Sequence, residues 1–336
     1  MKKTLAFLLS LTILSSTFAQ LPQKGLIFNF PFNGNINDVG PNKNTGNIIT
    51  SGAGGITLDA DRNNNPASSY FFSGGHLNFG NTDLMSVGDS SFTFSAWYCQ
   101  TSYKDVATIY SNNYGFAWGM SIGVRNGSVY VAVCGGTMPN SISINVLDDA
   151  NYKWYDWHHV AVVLDRTTKK CCVYVDGVKK NIANDTSYGP YGGTISGNEL
   201  DFTGLPLNLT SSGTTAIGAY YVNYKMYQNF VGLLDDIALY NRALSVGEIT
   251  GIYSGTVSLH ESYSHPFYHV SLNLTGEELF VQGVGKTAEL TIFDLNGVKI
   301  ASSNANAIQV SNLSKGLYIL RVKEGANVFT EKFSKN

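Results

Sequence analysis

The stretch from Trp157 to Lys180 constrains the fold of this chain more than any other part of its sequence. Its first half, WHHVAVVLD, is largely apolar on both faces of an extended strand, which is typical of a strand buried on two sides. A polar turn follows, and residues 171–175 run back as a second strand that ends at Asp176-Gly177. Asp-Gly is a strong hairpin signal because Gly adopts positive φ at no steric cost. The stretch therefore predicts a buried β-hairpin.

Short strand-like segments separated by glycine-rich turns continue through most of the chain. Residues 91–98, SFTFSAWY, alternate as a strand does, and Asn126-Gly127 predicts a further hairpin turn. The 35 Gly and 20 Tyr residues favour turns and strands over helices. One short helix is predicted over residues 241–253, with Ser245 as N-cap and Glu248 as its capping-box partner. About a dozen strands in one run predict an all-β fold, a two-sheet antiparallel jelly-roll sandwich.

The composition divides the chain into a leader, two β domains and a linker. Lys2 and Lys3 precede an apolar stretch that ends in small residues, which is typical of a secretory signal peptide. No later stretch is long and apolar enough to span a membrane. The predicted segments are a signal peptide (1–19), a large jelly-roll domain (21–255), a linker rich in His, Ser and Tyr (256–269) and a second, small β-sandwich domain (270–336).

Charge and cysteine content limit the partners and the redox state. The net charge is −2, and loss of the two signal-peptide lysines makes it −4. No basic stripe is present to neutralise phosphates, so the sequence excludes nucleic acid as a partner. Export permits disulfides, and two bridges among Cys99, Cys134, Cys171 and Cys172 allow three connectivities. The alternative is that the cysteines are free and buried as small hydrophobic residues.

Three blocks of the large domain together resemble the laminin-G-like, concanavalin-A-like jelly-roll family. The blocks are FNGNIND at 32–38, WHHV and VYVDG at 157–160 and 173–177, and GLLDDI and YNRALS at 232–237 and 240–245. They follow the order expected for that family and span most of residues 21–255. The resemblance implies a module that binds carbohydrate or protein, often with a bound calcium ion.

The C-terminal segment resembles the sorting domain of bacterial type IX secretion cargo. The matching pieces are LTIFDLNG at 290–297, VSNL at 310–313, GLYILRV at 316–322 and Lys332. The usual Tyr-Pro-Asn-Pro opening is absent and HPF stands at 265–267 instead, which leaves the start of the domain open. The resemblance implies that the type IX secretion machinery exports the chain across the outer membrane, to be attached to the cell surface or released.

Calcium is the first site hypothesis, since this ion takes several oxygen ligands in irregular geometry. We predict Asn33, Asn35, Asp38 and Asp235 as its ligands, because the loop at 33–38 is rich in oxygens and the resemblance places the strand of Asp235 near that loop. Asp236 is set aside because neighbouring residues of a strand point to opposite faces. The alternative is an ordinary Asn/Asp turn and a solvated acid on an edge strand.

Tyrosines in two glycine- and asparagine-containing loops are the second site hypothesis. Their rings can stack on the C–H faces of sugars while neighbouring amides bind hydroxyl groups. The alternative is that these tyrosines cover the ends of the sandwich, half buried, with their hydroxyls in water. The predicted ligand-binding residues are Tyr188, Tyr191, Tyr221, Tyr224 and Tyr227.

None of the candidate catalytic motifs in the large domain has the structural context that its chemistry requires. Gly119 to Gly123 matches Gly-x-Ser-x-Gly, but that motif needs a following helix, and here strands are predicted on both sides. His158 and His159 have no second histidine at metal-binding spacing, so we predict structural roles for both. Only two glutamates occur in the domain, so a paired-carboxylate mechanism would need aspartates. The adjacent aspartates at 148–149 and 235–236 are expected to diverge from each other.

The sequence as a whole predicts a non-catalytic, exported module that binds a polysaccharide or glycoprotein. Calcium would stabilise it, and it would act in surface adhesion or glycan capture. One alternative is a polysaccharide-degrading enzyme that uses an unrecognised pair of aspartates. Another is a structural surface protein without a small ligand.

Overall fold

A computed structural model of the chain describes residues 21–50, 54–81, 85–112, 118–136, 140–147, 153, 155–185, 191–210, 213–222, 225–255, 269–272, 277–282, 288–295, 297–324 and 327–335. The predicted signal peptide and nearly all of the predicted linker lie outside these residues. Within the described residues the fold is mostly β. Within the described residues one short helix is found, and no helix is long and apolar enough to cross a membrane.

The described part of residues 21–255 contains twenty strands and the helix α1 (Val246–Ser254). In chain order the strands are β1 (Leu26–Phe30), β2 (Asn47–Ile49), β3 (Ile56–Asp59), β4 (Ser69–Ser73), β5 (His76–Gly80), β6 (Phe92–Gln100), β7 (Val106–Ser111), β8 (Trp118–Arg125), β9 (Ser128–Gly135), β10 (Ser141–Val146), β11 (His158–Asp165), β12 (Lys170–Val175), β13 (Val178–Lys179), β14 (Ile182–Asn184), β15 (Thr194–Ser196), β16 (Glu199–Asp201), β17 (Thr215–Ile217), β18 (Tyr220–Val222), β19 (Lys225–Tyr227) and β20 (Val231–Tyr240).

Two antiparallel sheets form a sandwich, as predicted. The ten-stranded sheet has the order β15-β16-β12-β11-β6-β20-β4-β3, with β1 paired to β20 and β13 paired to β12. The eight-stranded sheet has the order β14-β10-β9-β8-β7-β17-β5-β2, and β18 and β19 form a separate hairpin. Neighbours in the sheets are mostly far apart in sequence, which is the crossing pattern of a jelly roll rather than of a simple meander.

The core lies between the two sheets and is rich in aromatic side chains. Phe28, Phe30, Phe94 and Tyr98 of the ten-stranded sheet are fully buried there. The ring of Phe94 lies 5.3 Å from that of Tyr110, which comes from the eight-stranded sheet. Burial of each such side chain contributes about 1.5–3 kcal/mol to folding. This aromatic layer therefore fixes the two sheets face to face.

The hairpin at 157–180 occupies the middle of the ten-stranded sheet. β11 pairs with β6 on one side and with β12 on the other, and its residues from His158 to Leu164 are all buried. Val160 and Val162 face the core between the sheets, while Ala161 and Val163 face outward. Asp176 and Gly177 have φ values of 53° and 74°, as a type I′ hairpin turn requires. The predicted two-sided burial of this strand is confirmed.

Helix α1 is the reason that the outward side of β11 is buried. Its residues Ile249 and Ile252 pack with outward-facing side chains of β11, β12 and β20 in a second apolar cluster. The hydroxyl of Ser245 accepts the N–H of Glu248 at 3.3 Å, and the carboxylate of Glu248 accepts the N–H of Ser245 at 2.8 Å. The predicted capping box is thus present, and it fixes where the helix begins.

All four cysteines are buried and free. Cys171 points into the core between the sheets, and Cys172 points to the outer side that the helix covers. The two neighbouring thiols therefore lie in different apolar clusters. Burial raises the pKa of Cys99 and of Cys134 to about 11. Thiols of this kind stay protonated at neutral pH and behave as small hydrophobic side chains. Of the two alternatives that the sequence left open, the structure has the free thiols.

A small second β unit forms the C-terminal part of the chain. It consists of a three-stranded sheet in the order β21-β22-β25 and a four-stranded sheet in the order β24-β23-β26-β27. Leu279, Leu290, Ile292 and Leu320 are fully buried in its own core. The predicted second β domain is confirmed. Its strands are β21 (His269–Leu272), β22 (Glu278–Gln282), β23 (Glu289–Phe293), β24 (Lys299–Ser303), β25 (Ala307–Gln309), β26 (Gly316–Glu324) and β27 (Asn327–Lys335).

Candidate functional site

Asp38, the first predicted calcium ligand, is buried and saturated with hydrogen bonds. Its Oδ1 accepts the backbone N–H groups of Asn29 at 2.8 Å and Gly40 at 2.7 Å. Its Oδ2 accepts the backbone N–H and the side-chain amide of Asn44, at 2.9 and 2.7 Å. A carboxylate offers about four lone-pair directions. Because N–H donors use all of them, Asp38 organises its loop and has no lone pair left for a cation.

The other two predicted ligands of this loop, Asn33 and Asn35, are exposed. The side-chain oxygen of Asn35 accepts the N–H of Asn37 at 2.9 Å, and its amide donates to the carbonyl oxygen of Asn33 at 3.1 Å. These contacts form the Asx turn that Asn residues favour in loops. They match the turn that the sequence offered as the alternative to a metal site at this loop.

Asp235 lies in the interior of the ten-stranded sheet, because β20 pairs with β6 on one side and with β1 and β4 on the other. The alternative of a solvated acid on an edge strand is therefore wrong. Its Oδ2 accepts Nη1 of Arg62 at 2.7 Å, and Oδ2 of Asp236 accepts Nη2 of the same guanidinium at 2.8 Å. Burial, and after it the negative charge of Asp236, raises the pKa of Asp235.

The expectation that Asp235 and Asp236 point to opposite faces is also wrong. A β-bulge between Asp235 and Ala238 interrupts the alternation of side chains, and Asp236 has a φ of +46°. The two carboxylates therefore turn toward one cation instead of diverging. A bulge depends on the pairing of two distant strands, so the sequence of β20 by itself gives no sign of it.

The residues predicted to bind calcium do not fit that ion. Calcium takes about six to eight oxygen ligands, whereas the oxygens of Asp38 face N–H donors and Asp235 faces a guanidinium. Across the part of the chain that the structure describes, no group of three or more His, Cys, Asp or Glu side chains is arranged to hold a metal. Calcium binding elsewhere in the chain stays a prediction from the family resemblance.

The outer side of the eight-stranded sheet is lined by small and polar side chains. In β8, β9 and β10 the inward residues are apolar, while the alternating outward residues are small or polar. Several of these outward side chains are nevertheless buried. We call this layer the polar face, and it consists of Thr108, Ser111, Ser121, Tyr130, Ser141 and Ser143.

Tyr130 is the centre of the polar face. Its hydroxyl lies 2.8 Å from Thr108 Oγ1 and 2.9 Å from Ser121 Oγ, and Thr108 donates to the side-chain oxygen of Gln228 at 3.2 Å. All three hydrogen bonds form at once if Ser121 donates to Tyr130, Tyr130 donates to Thr108 and Thr108 donates to Gln228. The guanidinium carbon of Arg125 lies 4.9 Å from the centroid of the Tyr130 ring. Buried hydroxyls are tolerated because each one is hydrogen-bonded.

Asp185 and Gly192, which lie on either side of a part of the loop outside the described residues, contact one side of the polar face. Both are bonded to β10 beyond its pairing with β14, by the N–H of Asp185 to the carbonyl oxygen of Ser143 (2.9 Å) and by the N–H of Gly192 to that of Ser141 (2.8 Å). The carboxylate of Asp185 forms a buried ion pair with Arg125 and accepts the hydroxyl of Ser143 at 3.2 Å. The loop is therefore held by directional bonds.

The two predicted tyrosines of this loop have different outcomes. Tyr191 is half-buried and its hydroxyl is hydrogen-bonded to Ser143. Burial, and the nearby charges of Cys134 and Asp185, raise the pKa of Tyr191. The ring thus lies at the β10 side of the polar face. Tyr188 lies outside the described residues.

The hairpin of β18 and β19 stands at the opposite side of the polar face. Ser111 donates to the carbonyl oxygen of Ala219 at 2.9 Å, and the N–H of Thr108 donates to the carbonyl oxygen of Gln228 at 2.8 Å. β7 and β10 are three strand spacings apart, or about 14 Å. Tyr191 and Tyr227 therefore both belong to segments that are hydrogen-bonded to the same sheet.

The structure describes some of the predicted tyrosines of the hairpin and not others. Tyr227 pairs with Tyr220 in the hairpin and is 49% exposed. The backbone of Tyr221 pairs with Met226, while its side chain and the whole of Tyr224 lie outside what the structure describes. Trp118, at the start of β8, is 42% exposed beside Gly136. Exposed rings next to an anchored amide, that of Gln228, can stack on an apolar face and bind hydroxyl groups.

Sequence reasoning missed the residues that hold these loops in place, namely Thr108, Tyr130, Arg125, Asp185 and Gln228. One signal was available, because SISIN at 141–145 alternates strictly between polar and apolar residues. That alternation indicates a strand with one polar side. It could not identify the partners above that side, since Asp185 is 60 residues away from Arg125 and Gln228 is 120 residues away from Thr108.

The sequence motifs that suggested catalysis have structural roles. Ser121 lies in the middle of β8 with β9 following, so the prediction that Gly119 to Gly123 is not a nucleophile turn is confirmed. His158 contacts Asp176 Oδ2 at 2.8 Å and the Lys153 carbonyl oxygen at 2.9 Å. His159 Nε2 lies 2.9 Å from Ser95 Oγ, but both residues are buried and offer no surface to a substrate.

Comparison with protein families gives two matches that divide the chain. The model of the Concanavalin A-like lectin/glucanases superfamily matches residues 72–250, which is more than half of the chain. The model of the Secretion system C-terminal sorting domain matches residues 269–336. That domain marks type IX secretion cargo, which is exported to the cell surface or beyond. A comparison with curated proteins gives no match.

Solved structures with a similar fold share little sequence with the chain. Domain 4 of AbnA, a GH43 extracellular arabinanase from Geobacillus stearothermophilus in complex with arabinotriose, is 16% identical with a TM-score of 0.45, over 69% of this chain and 100% of that one. The CBM40 of the Ruminococcus gnavus IT-sialidase, bound to alpha2,3 sialyllactose, is 14% identical with a TM-score of 0.40, over 62% and 96%. The binding domain of botulinum neurotoxin DC in complex with SialylT is 11% identical with a TM-score of 0.46, over 92% and 73%. Similarity at this level carries no conclusion about a ligand.

Proposed function

Because the chain belongs to the concanavalin A-like lectin/glucanases superfamily and carries a secretion sorting domain, we propose that it is an exported, non-catalytic module that binds a polysaccharide or the glycan of a glycoprotein. Its binding surface is built by the loops over the polar face. The type IX secretion machinery is its partner during export. A module of this kind acts in surface adhesion or in glycan capture.

One observation carries this proposal: two separate loops with aromatic and amide groups are anchored by hydrogen bonds to a single sheet face. A sugar offers C–H faces to aromatic rings and hydroxyl groups to amides, and it binds well only where these groups are held in fixed positions. Tyr227 offers an exposed ring. Tyr191 and Gln228 supply a hydroxyl and an amide whose positions are set by Ser143 and Thr108.

The state of Asp235 and Asp236 supports binding without turnover. A glycosidase needs two carboxyl groups about 5–10 Å apart, on either side of a sugar. Asp235 and Asp236 share one guanidinium, and the side chain of Asp235 is 3% exposed, so this pair does not flank a substrate. The other adjacent pair, at 148–149, lies outside the described residues, which makes a turnover assay part of the test.

The test is a glycan array with the mature full-length chain, run in calcium and in chelator, with reducing-sugar release measured on every glycan that binds. We expect binding without release. Substitution Tyr227→Ala should weaken binding to the retained glycan by about tenfold, since the loss of one stacked ring costs about 1.4 kcal/mol of binding free energy. A chain that binds no glycan, or that releases sugar, contradicts the proposal.

Tyr155→Ala is the matched control. Tyr155 is 54% exposed, like Tyr227, but its backbone carbonyl oxygen accepts the Cys99 thiol at the end of β6, in the other sheet. The substitution removes an exposed ring of the same kind from a different surface. Binding should be unchanged in this variant. Equal losses in Tyr155→Ala and Tyr227→Ala would mean that the polar-face loops are not the binding surface.

A further inference from the structure

Arg62 lies in the loop that joins β3 to β4, and this loop is rigid. The carboxylate of Asp61 accepts the N–H groups of Asn63 and Asn65, each at 2.8 Å, and also the side-chain amide of Asn65 at 2.8 Å. The N–H of Asp61 also donates a hydrogen bond to the carbonyl oxygen of Asn65 within the same loop. Arg62 is therefore presented from a turn that is closed by its own hydrogen bonds.

The guanidinium of Arg62 bridges the two carboxylates of the β20 bulge. Nη1 contacts Asp235 at 2.7 Å and Nη2 contacts Asp236 at 2.8 Å. A planar fork of donors suits this geometry, and the single charged nitrogen of a lysine does not. The guanidinium carbon also lies 4.3 Å from the centroid of the Trp97 ring, within the range of a cation–π contact.

The site needs a cation for a simple electrostatic reason. The side chains of Asp235 and Asp236 are 3% and 32% exposed, so water cannot solvate a negative charge on Asp235. Two adjacent carboxylates in such a place repel each other, and Asp61 adds a third negative charge nearby. Removal of the only cation that contacts both acids in the described residues would leave them uncompensated.

We infer that Arg62 is the resident cation of this site and occupies the position between the two carboxylates that a divalent cation would otherwise take. The two acids of the bulge therefore need no metal. Replacing Arg62 by a small neutral residue would open Asp235 and Asp236 to a divalent cation, since two carboxylates match its charge and hard cations prefer oxygen ligands. This inference does not depend on glycan binding.

The experiment compares the full-length mature chain with Arg62→Ala and with the double variant Arg62→Ala, Asp235→Asn. Each protein is titrated with terbium, a luminescent substitute for calcium, while the tryptophans are excited. Trp97 is the donor for any ion bound at the position of the guanidinium. The Tm of each protein is then measured in millimolar calcium and in chelator.

We expect the unmodified chain to have the same Tm in calcium and in chelator and no saturable terbium luminescence. Arg62→Ala should be less stable in chelator, should gain several degrees of Tm in calcium, and should show luminescence that calcium displaces. The double variant should lose both responses. Arg62→Lys, which keeps the charge but not the fork, should resemble the unmodified chain in its lack of a calcium response.

Two results would overturn the inference. One is a calcium-dependent Tm in the unmodified chain that Asp235→Asn abolishes, because a metal would then displace the guanidinium. The other is an Arg62→Ala protein that does not respond to calcium or terbium, whether it is folded in chelator or unfolded in both conditions. If Arg62→Ala folds only when calcium is present, that dependence supports the inference. If it folds in neither condition, the inference that a divalent cation can replace the guanidinium is wrong.

Discussion

The two outer faces of this sandwich are both buried, but by opposite chemistry. On the ten-stranded sheet, helix α1 covers an apolar layer that includes Val163, Tyr174 and Tyr240. On the eight-stranded sheet, Asp185, Ala219 and Gln228 contact the polar face through hydrogen bonds and the Arg125–Asp185 ion pair. One cover is therefore held by apolar contact, and the other by directional polar bonds.

The difference separates a stabilising surface from a positioning surface. Apolar burial contributes free energy in proportion to area and tolerates small shifts. A buried hydrogen-bond network contributes less per group, but it allows only one arrangement and loses much when a single member is removed. In the proposed binding module, the loops that present rings and amides lie over the polar face, and the apolar helix lies on the other side.

The largest expected effect is that of Asp185→Ala. This variant takes away the carboxylate that contacts the buried guanidinium of Arg125, and such a loss costs about 3–5 kcal/mol of unfolding free energy. Urea unfolding followed by tryptophan fluorescence measures it in the large domain alone, because all four tryptophans lie between residues 97 and 157. Asp201→Asn, which removes the exposed pair with Lys170, should change little. Similar curves for both variants would contradict the role of the network.

Ile249→Ala tests the apolar cover. Ile249 is fully buried between helix α1 and the ten-stranded sheet, and truncation of such a residue costs about 2–4 kcal/mol. The control is Val246→Ala in the first turn of the same helix, which is 59% exposed and should stay within about 0.5 kcal/mol of the unmodified chain. Glycan binding should survive Ile249→Ala under native conditions. Loss of binding in a folded Ile249→Ala protein would break the division between the two faces.

A pH dependence is expected from His159, which lies beneath the apolar cover. Burial lowers the pKa of His159 to about 3. Below its ordinary value of about 6.5 the unfolded chain binds a proton that the folded chain does not, so stability falls as pH drops from 6.5 toward 3 and is unaffected above 6.5. The cost is roughly 2 kcal/mol at pH 5. His159→Gln should flatten this part of the stability–pH curve, and a curve of unchanged slope would contradict the assignment.

The smallest expected effects come from a matched pair of tyrosines, one on each face. Tyr130→Phe leaves the hydroxyl of Ser121 without its Tyr130 partner and leaves that of Thr108 with its bond to Gln228 but not the one to Tyr130, and it should cost about 1–2 kcal/mol. The hydroxyl of Tyr240 is buried without a hydrogen-bond partner, so Tyr240→Phe should be neutral or slightly stabilising. Only Tyr130→Phe should weaken glycan binding. Equal effects of the two substitutions on stability would remove the contrast between the faces.

Elements that depend on local chemistry could be predicted from the sequence. The strand at 158–165, the Asp-Gly and Asn-Gly turns and the capping box of α1 all rest on alternation or on residues within a few positions of one another. Tyr191 lies in a loop, as predicted for the same reason, whereas Tyr227, which was also predicted in a loop, is the last residue of strand β19. Their shared position over one sheet face was not predictable, since it follows from the pairing of β7 and β10 with strands between them.

The sequence by itself determined a two-sheet β fold with a small second β domain, because periodicity and turn residues act over short distances. Only the tertiary structure decided the environment of the acids. Asp235 and Arg62 are 173 residues apart, and they meet only when β4 and β20 pair and a bulge turns both carboxylates to one side. Charge compensation in a buried site depends on every element that packs there, and no local pattern in the chain encodes that.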